Sequence, residues 1–219
     1  MTLVLWEAMG AQLRNPRGAW GGVTGRIMRL ANARVNALAV TALAAAPGEH
    51  VIEIGCGPGH ALKLVLAASS DVTVAGLDHS PVMIAQAASL NSGPLAAGRL
   101  TLQVGDFSAM PFPDASADAV LAVNVAYFMR DGRALDDVRR VLKPGGRLVL
   151  YATHRQSMQN WRFAGEHSHR TFDEEDLRAL FSEAGFAPAE IRSVDAGLGV
   201  KGLIAVSRRK DSHNRITPL

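Results

Sequence analysis

Short apolar stretches alternate with helical patterns along most of the sequence, and this alternation constrains the fold more than any other feature. The stretches lie at 50–54, 72–77, 100–104, 117–123 and 147–152 and are apolar almost throughout rather than at every second position. Strands that are buried on both faces have this composition, and helical patterns that begin at Pro58 and Pro81 separate them. The sequence therefore predicts an α/β fold with a doubly wound, mostly parallel sheet.

The two ends of the chain extend this pattern. Residues 23–46 have an apolar helical face and precede Pro47 and Gly48, which predicts an N-terminal helical segment over residues 1–46. Towards the other end, Thr171 and Glu174 have the spacing of a capping box and predict a helix to about Ala184. Two late strands are expected near 189–194 and 200–207.

Net charge is distributed unevenly along the chain. The formal total is +3, but residues 47–207 carry −4, while residues 1–46 carry +4 and residues 208–219 carry +3. The predicted central domain, residues 47–207, is therefore mildly acidic, which argues against nucleic acid as its partner. We interpret residues 208–219 as a solvated basic C-terminal tail.

One cysteine in 219 residues excludes an internal disulfide and a thiolate metal site. The sequence lacks the pattern of a signal peptide, and its longest nearly apolar run is far shorter than the roughly 20 residues of a membrane span. We therefore expect a cytoplasmic protein with no membrane span.

The first predicted strand runs directly into a glycine-rich turn, Gly55-Cys56-Gly57-Pro58-Gly59. Glycines at a strand-to-helix turn allow a ligand to approach the backbone, where the N–H groups of the following helix point outward. The turn also lies at the carboxyl end of the strand, which is the usual ligand crevice of an open α/β sheet. The motif alone is equally consistent with a plain turn.

Polar residues follow the next three predicted strands. Asp78 ends the second strand, 23 residues after Gly55, at the spacing where a carboxylate binds ribose hydroxyls. Ser80 and Pro81 already supply the start of the next helix, so we expect the Asp78 carboxylate to be free. Asp106 follows the third strand and Asn124 the fourth. Together the four strand ends predict one elongated ligand across this edge of the sheet.

Four segments resemble the class I S-adenosylmethionine-dependent methyltransferases, and in particular the small-molecule group that includes the ubiquinone/menaquinone-type enzymes. The segments are VIEIGCGPG (51–59), GLDHSPVMIAQA (76–87), GDFSAMPFPDASADAV (105–120) and RVLKPGGRLVL (140–150). The resemblance implies a Rossmann-like sheet of seven strands with an antiparallel last strand. It also implies S-adenosylmethionine as cofactor, S-adenosylhomocysteine as product and a small-molecule methyl acceptor.

The resemblance also implies roles for individual residues. Glu53, Gly55, Cys56, Gly57 and Gly59 match the motif that contacts the methionine part of the cofactor. The residues matched to its other parts are Asp78 for the ribose, His79 and Met83 near the adenine, Asp106 and Phe107 at the adenine, and Asn124 near the methionyl amino end and the methyl group.

Two other enzyme classes fit the sequence less well. A nicotinamide-dependent oxidoreductase would require a third glycine at position 60, where His60 stands. Base methyltransferases of this fold carry an Asn/Asp-Pro-Pro-Tyr/Phe motif, and the sequence from Asn124 to Tyr127 lacks both prolines. A methyltransferase that acts on a protein or RNA, or a noncatalytic module that binds the cofactor, stays open.

Methyl transfer requires alignment of the acceptor rather than a protein nucleophile, although a general base accelerates transfer to a hydroxyl. His154, just after the fifth predicted strand, is the candidate base, with an exposed loop histidine as the alternative interpretation. Residues 153–170 have no strand pattern and mix aromatic with polar residues, which predicts a partial lid. No metal is expected at His167 and His169.

Overall fold

The structure of the protein is a computed structural model that describes residues 32–129, 132–159, 170–197 and 199–210. Three of the sequence-based predictions therefore fall wholly or mainly outside the described residues. These are the helix before residue 32, most of the 153–170 lid with its two histidines, and the tail after residue 210.

Seven strands form one sheet in the order β3-β2-β1-β4-β5-β7-β6. Their bounds are β1 His50–Ile54, β2 Thr73–Asp78, β3 Leu100–Val104, β4 Ala117–Val123, β5 Leu142–Thr153, β6 Glu190–Gly197 and β7 Val200–Arg208. Strands β1 to β5 are parallel, and β7 runs antiparallel to both of its neighbours. The predicted doubly wound, seven-stranded sheet with an antiparallel last strand is confirmed.

Helices pack on both faces of the sheet. The described part of α1 covers residues 32–43, and the others are α2 His60–Ala68, α3 Pro81–Leu90, α4 Ser92–Ala96, α5 Asp136–Val141, α6 Arg155–Met158 and α7 Glu174–Glu183. None of the helices in these ranges is long and apolar enough to span a membrane.

Alternate residues of the central strands supply two separate cores. On one face, Ile52 and Val120 pack with residues of α5 and α7, including Phe181. On the other face, Val51 and Leu121 pack with residues of α1 and α2. This division follows from the period of two along a strand, and it explains why both positions of each strand had to be apolar.

Strand β3 departs from the expectation of burial on both faces. It lies at the edge of the sheet, and Val104 and most of its other residues are exposed or half-buried. The apolar sequence LTLQV predicted a strand correctly, but its position in the sheet depends on strand order, which composition does not encode.

The last long helix begins two residues later than the sequence indicates. Asp173, rather than Thr171, caps α7, and its carboxylate accepts from the backbone N–H groups of Glu175 and Asp176. The Asp176 carboxylate accepts from the Asp173 N–H at 2.8 Å, which completes the capping box. Two overlapping sequences could form the motif, and Asp is as good an N-cap as Thr.

The first residues of the predicted tail are ordered. Arg208 ends β7, and its guanidinium donates to the Gly145 carbonyl at 2.9 Å. The Arg209 guanidinium donates to the carbonyl groups of Arg140 and Leu142. These two residues therefore belong to the folded domain, although the Arg208 side chain is exposed to solvent.

Candidate functional site

A cavity of about 520 Å³ opens at the carboxyl ends of the parallel strands. All four polar residues that the sequence analysis assigned to one ligand line it: Glu53 in β1, Asp78 at the end of β2, Asp106 after β3 and Asn124 after β4. The glycine-rich turn and Phe107 also line it. The structure therefore brings these residues together, as their positions at strand ends require in a parallel sheet.

The glycine-rich turn is held in place by side chains beneath it. The buried Asn91 amide donates to the carbonyl oxygens of Gly59 and Ala87, at 3.1 and 3.0 Å. Gly59 has φ of +84°, and a Cβ there would lie 2.7 Å from the Asn91 Nδ2. Only glycine fits this combination of a left-handed conformation and a close approach. The turn before α2 therefore has a defined shape on the cavity wall.

Glu53 brings a buried carboxylate to the cavity. The residue is only 3% exposed, and its Oε2 has no hydrogen-bond partner in the described structure. Burial, reinforced by the negative charge of Asp78, raises the pKa of Glu53 to about 8. A buried carboxylate oxygen without a partner is costly, and a cationic or hydrogen-bond-donating ligand would relieve that cost.

The Asp78 carboxylate is not free of the backbone, contrary to our expectation from Ser80 and Pro81. Its Oδ2 accepts from the Gly57 N–H and its Oδ1 from the Ser80 N–H, both at 2.9 Å. Ser80 does cap α3, as expected. Each carboxylate oxygen has a second lone pair, so these contacts orient Asp78 and leave acceptor capacity.

Of the residues assigned to the adenine ring, three line the cavity and one does not. Asp106 is exposed at the cavity, and hydrogen bonds from the Ser108 hydroxyl and N–H to its Oδ1 lower its pKa. Phe107 beside it is half-buried, and His79 lines the same cavity. Met83 does not line the cavity, because α3 carries it away from the strand ends.

Asn124 lies at a sharp turn after β4. Its φ of +59° is left-handed, a region that asparagine tolerates better than most residues. The backbone N–H of Asn124 donates to the Tyr151 carbonyl at 3.1 Å. The Tyr127 hydroxyl donates to Asn124 Oδ1 at 3.0 Å and accepts from the Thr153 N–H at 2.8 Å. The side chain of Asn124 is therefore fixed on the cavity wall.

His154, the candidate general base, does not line the cavity. It caps α6, where its Nδ1 accepts from the Gln156 N–H at 3.1 Å, and its Nε2 lies 3.5 Å from Glu174. The alternative of an exposed loop histidine is also wrong, because His154 is buried. Its contacts join the end of β5 to the start of α7, and its assignment as a base has no geometric support.

Several cavity residues were missed by the sequence analysis. Asn32 and Asn36 lie one turn apart on α1 and line the cavity, as does His60 in α2. The i, i+4 spacing of two asparagines on a largely apolar helix was the available signal. Asn36 is 9% exposed, and its side chain makes no hydrogen bond with the described residues.

The cavity has no arrangement suited to a metal ion. No group of three or more His, Cys, Asp or Glu side chains in the described ranges could hold one. The Cys56 thiol is buried beside Glu53 and Asp78, and burial, followed by the charges of these carboxylates, raises its pKa. A thiol in this state is a weak metal ligand and a weak nucleophile.

Comparison with known proteins places the chain in a family. The family described as "Methyltransferase domain" matches residues 52–150. The O-methyltransferase cnsE of Penicillium expansum is 32% identical over 158 residues, which are 69% of this chain and 57% of that protein. The ubiquinone/menaquinone biosynthesis C-methyltransferase UbiE of Geobacter sulfurreducens is 33% identical over 105 residues, 47% of this chain and 41% of that protein. The chain thus spans about half the length of the curated relatives it matches.

Solved structures share the fold. A chain in the complex of the Haloferax volcanii Trm112 methyltransferase activator with the putative methyltransferase has a TM-score of 0.72 and 22% identity over 82% of this chain and 90% of that chain. The [4+2]-cyclase SpnF has a TM-score of 0.69 and 20% identity over 82% of each chain. A cyclase among these neighbours shows that the fold alone does not define the reaction. The matched domain and the named relatives, with which the seven-stranded sheet agrees, place residues 52–150 in the class I S-adenosylmethionine-dependent methyltransferases.

Proposed function

We propose that the protein transfers the sulfonium methyl group of S-adenosylmethionine to a small-molecule acceptor by in-line displacement. The observation that carries this proposal is the buried Glu53 carboxylate, whose Oε2 has no described partner and which lies on the wall of the cavity beside the glycine-rich turn. The relatives named as O- and C-methyltransferases support a small-molecule acceptor.

The residues on the cavity wall fit the cofactor part by part. Glu53 would accept from the methionyl ammonium group, which has the charge that a buried carboxylate needs. The glycine-rich turn would contact the rest of the methionine part, where the missing side chains allow close approach to the backbone. Glu53 would then ionise on binding, because the nearby cation would lower its pKa from about 8.

Asp78 and Asp106 would hold the nucleoside. The Asp78 carboxylate, oriented by the backbone N–H groups of Gly57 and Ser80, would accept from the two ribose hydroxyls. Asp106 would accept from the adenine amino group, with the ring of Phe107 beside the base and His79 at the rim. Met83 lies outside the cavity lining, so we propose no contact for it.

S-adenosylmethionine supplies an already activated methyl group. The protein therefore has to bind the acceptor, align its nucleophilic atom and exclude water, and alignment of this kind is worth roughly 7–11 kcal/mol. With His154 outside the cavity, the proposal assigns no protein base to the reaction.

Calorimetric titration with S-adenosylhomocysteine tests the cofactor assignment. Asp78→Ala should weaken binding at least about tenfold, since hydrogen bonds to a charged group are worth roughly 1.5–3 kcal/mol each. The control Asp71→Ala removes an exposed carboxylate that lies outside the cavity and should leave affinity unchanged. Equal affinity of the Asp78 variant and the wild type would contradict the assignment.

A second measurement separates an enzyme from a binding module. The protein is incubated with S-adenosylmethionine labelled in its methyl carbon and a small-molecule extract. Label should appear in a small molecule and not in added protein or RNA. Tight binding of S-adenosylhomocysteine without transfer to any of these would favour a noncatalytic module.

A further inference from the structure

The carboxamide oxygen of Asn124 accepts a hydrogen bond from within the protein. The Tyr127 hydroxyl donates to Asn124 Oδ1, and its oxygen accepts from the Thr153 backbone N–H. This chain of two hydrogen bonds ties the turn after β4 to the end of β5. It also defines which way the amide faces, because Oδ1 is directed at Tyr127 and Nδ2 is directed away from it.

The carboxamide nitrogen of Asn124 is available to donate to a ligand. The Asn124 side chain lines the cavity, and its Nδ2 makes no hydrogen bond with any of the described residues. A carboxamide nitrogen only donates. Asn124 therefore cannot accept from the methionyl ammonium group through its side chain, and Glu53 is the group that offers an acceptor there.

We propose that Tyr127 is a positioning residue that holds the Asn124 amide with its N–H groups facing the methyl acceptor, so that the site selects oxygen nucleophiles over amines. This inference rests on the proposed function.

The selection follows from the number of lone pairs. A neutral amine has one lone pair, which it needs for attack, so it cannot accept a hydrogen bond from Asn124 at the same time. A hydroxyl or phenolate oxygen has a second lone pair and can do both. The acceptor oxygen forms a bond to the methyl carbon while the carbon–sulfur bond breaks and its electron pair goes to sulfur. A phenol gives its proton to solvent before it binds and then attacks as the phenolate, so no proton has to leave inside the site.

A second carboxamide in the cavity supports a polar, oxygen-bearing acceptor. Asn36 is 9% exposed and makes no hydrogen bond in the described part of the chain, and buried polar groups normally have a partner. It lines the cavity from α1, whereas the residues that the proposed function assigns to the nucleoside lie at the ends of β2 and β3, so Asn36 is available to an acceptor.

The test uses S-adenosylmethionine labelled with ¹³C in the methyl group and two probes, 2-aminophenol and a small-molecule extract. Carbon chemical shifts distinguish methyl groups on oxygen, nitrogen and carbon, and 2-aminophenol offers both nucleophiles on one ring. We expect wild-type protein to methylate oxygen with both probes. A methyl group on nitrogen or carbon, or the absence of any O-methylated product, would overturn the inference.

Two variants test the positioning role. Tyr127→Phe should lower kcat about 10- to 100-fold and shift the 2-aminophenol product at least about tenfold towards nitrogen, while binding of S-adenosylhomocysteine stays within about twofold. Asn124→Asp keeps the left-handed backbone and replaces the amide donor with a carboxylate that repels an acceptor oxygen, so kcat/KM for 2-aminophenol should fall at least about tenfold.

Tyr151→Phe is the matched control. Tyr151 is fully buried and does not line the cavity, and its hydroxyl makes no hydrogen bond with Asn124, so its removal should leave kcat and the product ratio within about twofold of the wild type. If Tyr127→Phe kept the wild-type product ratio, Tyr127 would be merely structural. If the wild-type protein did not bind S-adenosylhomocysteine, the proposed function itself would be refuted.

Discussion

Glu53→Gln tests two effects of the Glu53 charge: the charge should strengthen binding of S-adenosylhomocysteine, and it should lower the free energy of unfolding at high pH. The substitution keeps the shape of the side chain and removes its charge. In the free protein the carboxylate is buried without a partner for Oε2, and its pKa is raised to about 8 by burial and by Asp78. We therefore expect the variant to be more stable than the wild type at high pH, while binding the cofactor product more weakly.

The direction of the pH dependence follows from linkage. Between its ordinary pKa of 4.5 and about 8, Glu53 is ionised in the unfolded chain and still protonated in the folded protein. Folding then takes up a proton, so Glu53 makes the free energy of unfolding fall as pH rises through this window. At about 1.4 kcal/mol per pH unit the full effect is roughly 4–5 kcal/mol, an upper value for a group that can relax.

Urea denaturation of the two proteins between pH 4 and pH 9 measures this effect. The stability difference should be small near pH 4 and should grow in favour of Glu53→Gln up to about pH 8. Calorimetry with S-adenosylhomocysteine at pH 7 should show about 10- to 100-fold weaker binding to the variant, and release of up to about 0.9 proton only by the wild type. Equal affinities, or a variant that is less stable at pH 8, would refute the reasoning.

Three further predictions concern the turn, a helix start and the thiol. Gly59→Ala should lower the free energy of unfolding by about 1–3 kcal/mol, measured by thermal denaturation. The control Gly48→Ala should lower it less, because both glycines have φ near +84° but only a Cβ at position 59 would contact other atoms. Asp173→Ala should cost about 1 kcal/mol in urea denaturation and Thr171→Ala much less, because Asp173 caps α7; the reverse order would restore the sequence-based assignment. Cys56 should react with iodoacetamide at pH 8 more slowly than a free thiol, because burial raises its pKa, and more slowly again with S-adenosylhomocysteine bound.

The sheet could be predicted from the sequence because its signal is local. Each central strand is apolar at both alternate positions, and β1, β3 and β4 begin and end where the apolar stretches do. Strand β5 is longer than its apolar stretch, because its register with β4 and β7 extends it to Leu142–Thr153. Pairing with neighbours determines such a boundary, and composition does not contain it.

The candidate site was predictable where strand ends define it. Parallel strands place their carboxyl ends on one edge, so Glu53, Asp78, Asp106 and Asn124 had to meet once the strands were identified correctly. Their roles in binding stay predictions. The error over His154 has a different origin, because it also follows a strand, but its ring caps α6 and turns away from the cavity.

Residues supplied by other elements escaped the sequence analysis. Asn36 reaches the cavity because α1 packs on the sheet face that carries Val51 and Leu121, and no pattern within the helix encodes where it packs. The left-handed turn at Asn124 and its bond to Tyr127 likewise depend on packing between the ends of β4 and β5. Long-range geometry of this kind requires the structure.

A crystal structure of the complex with S-adenosylhomocysteine tests the central claim most directly. The proposed function predicts the amino group of the ligand within hydrogen-bond distance of the Glu53 carboxylate and both ribose hydroxyls at the Asp78 carboxylate. Electron density for the ligand outside this cavity, or in the opposite orientation with the adenine at Glu53, would contradict it.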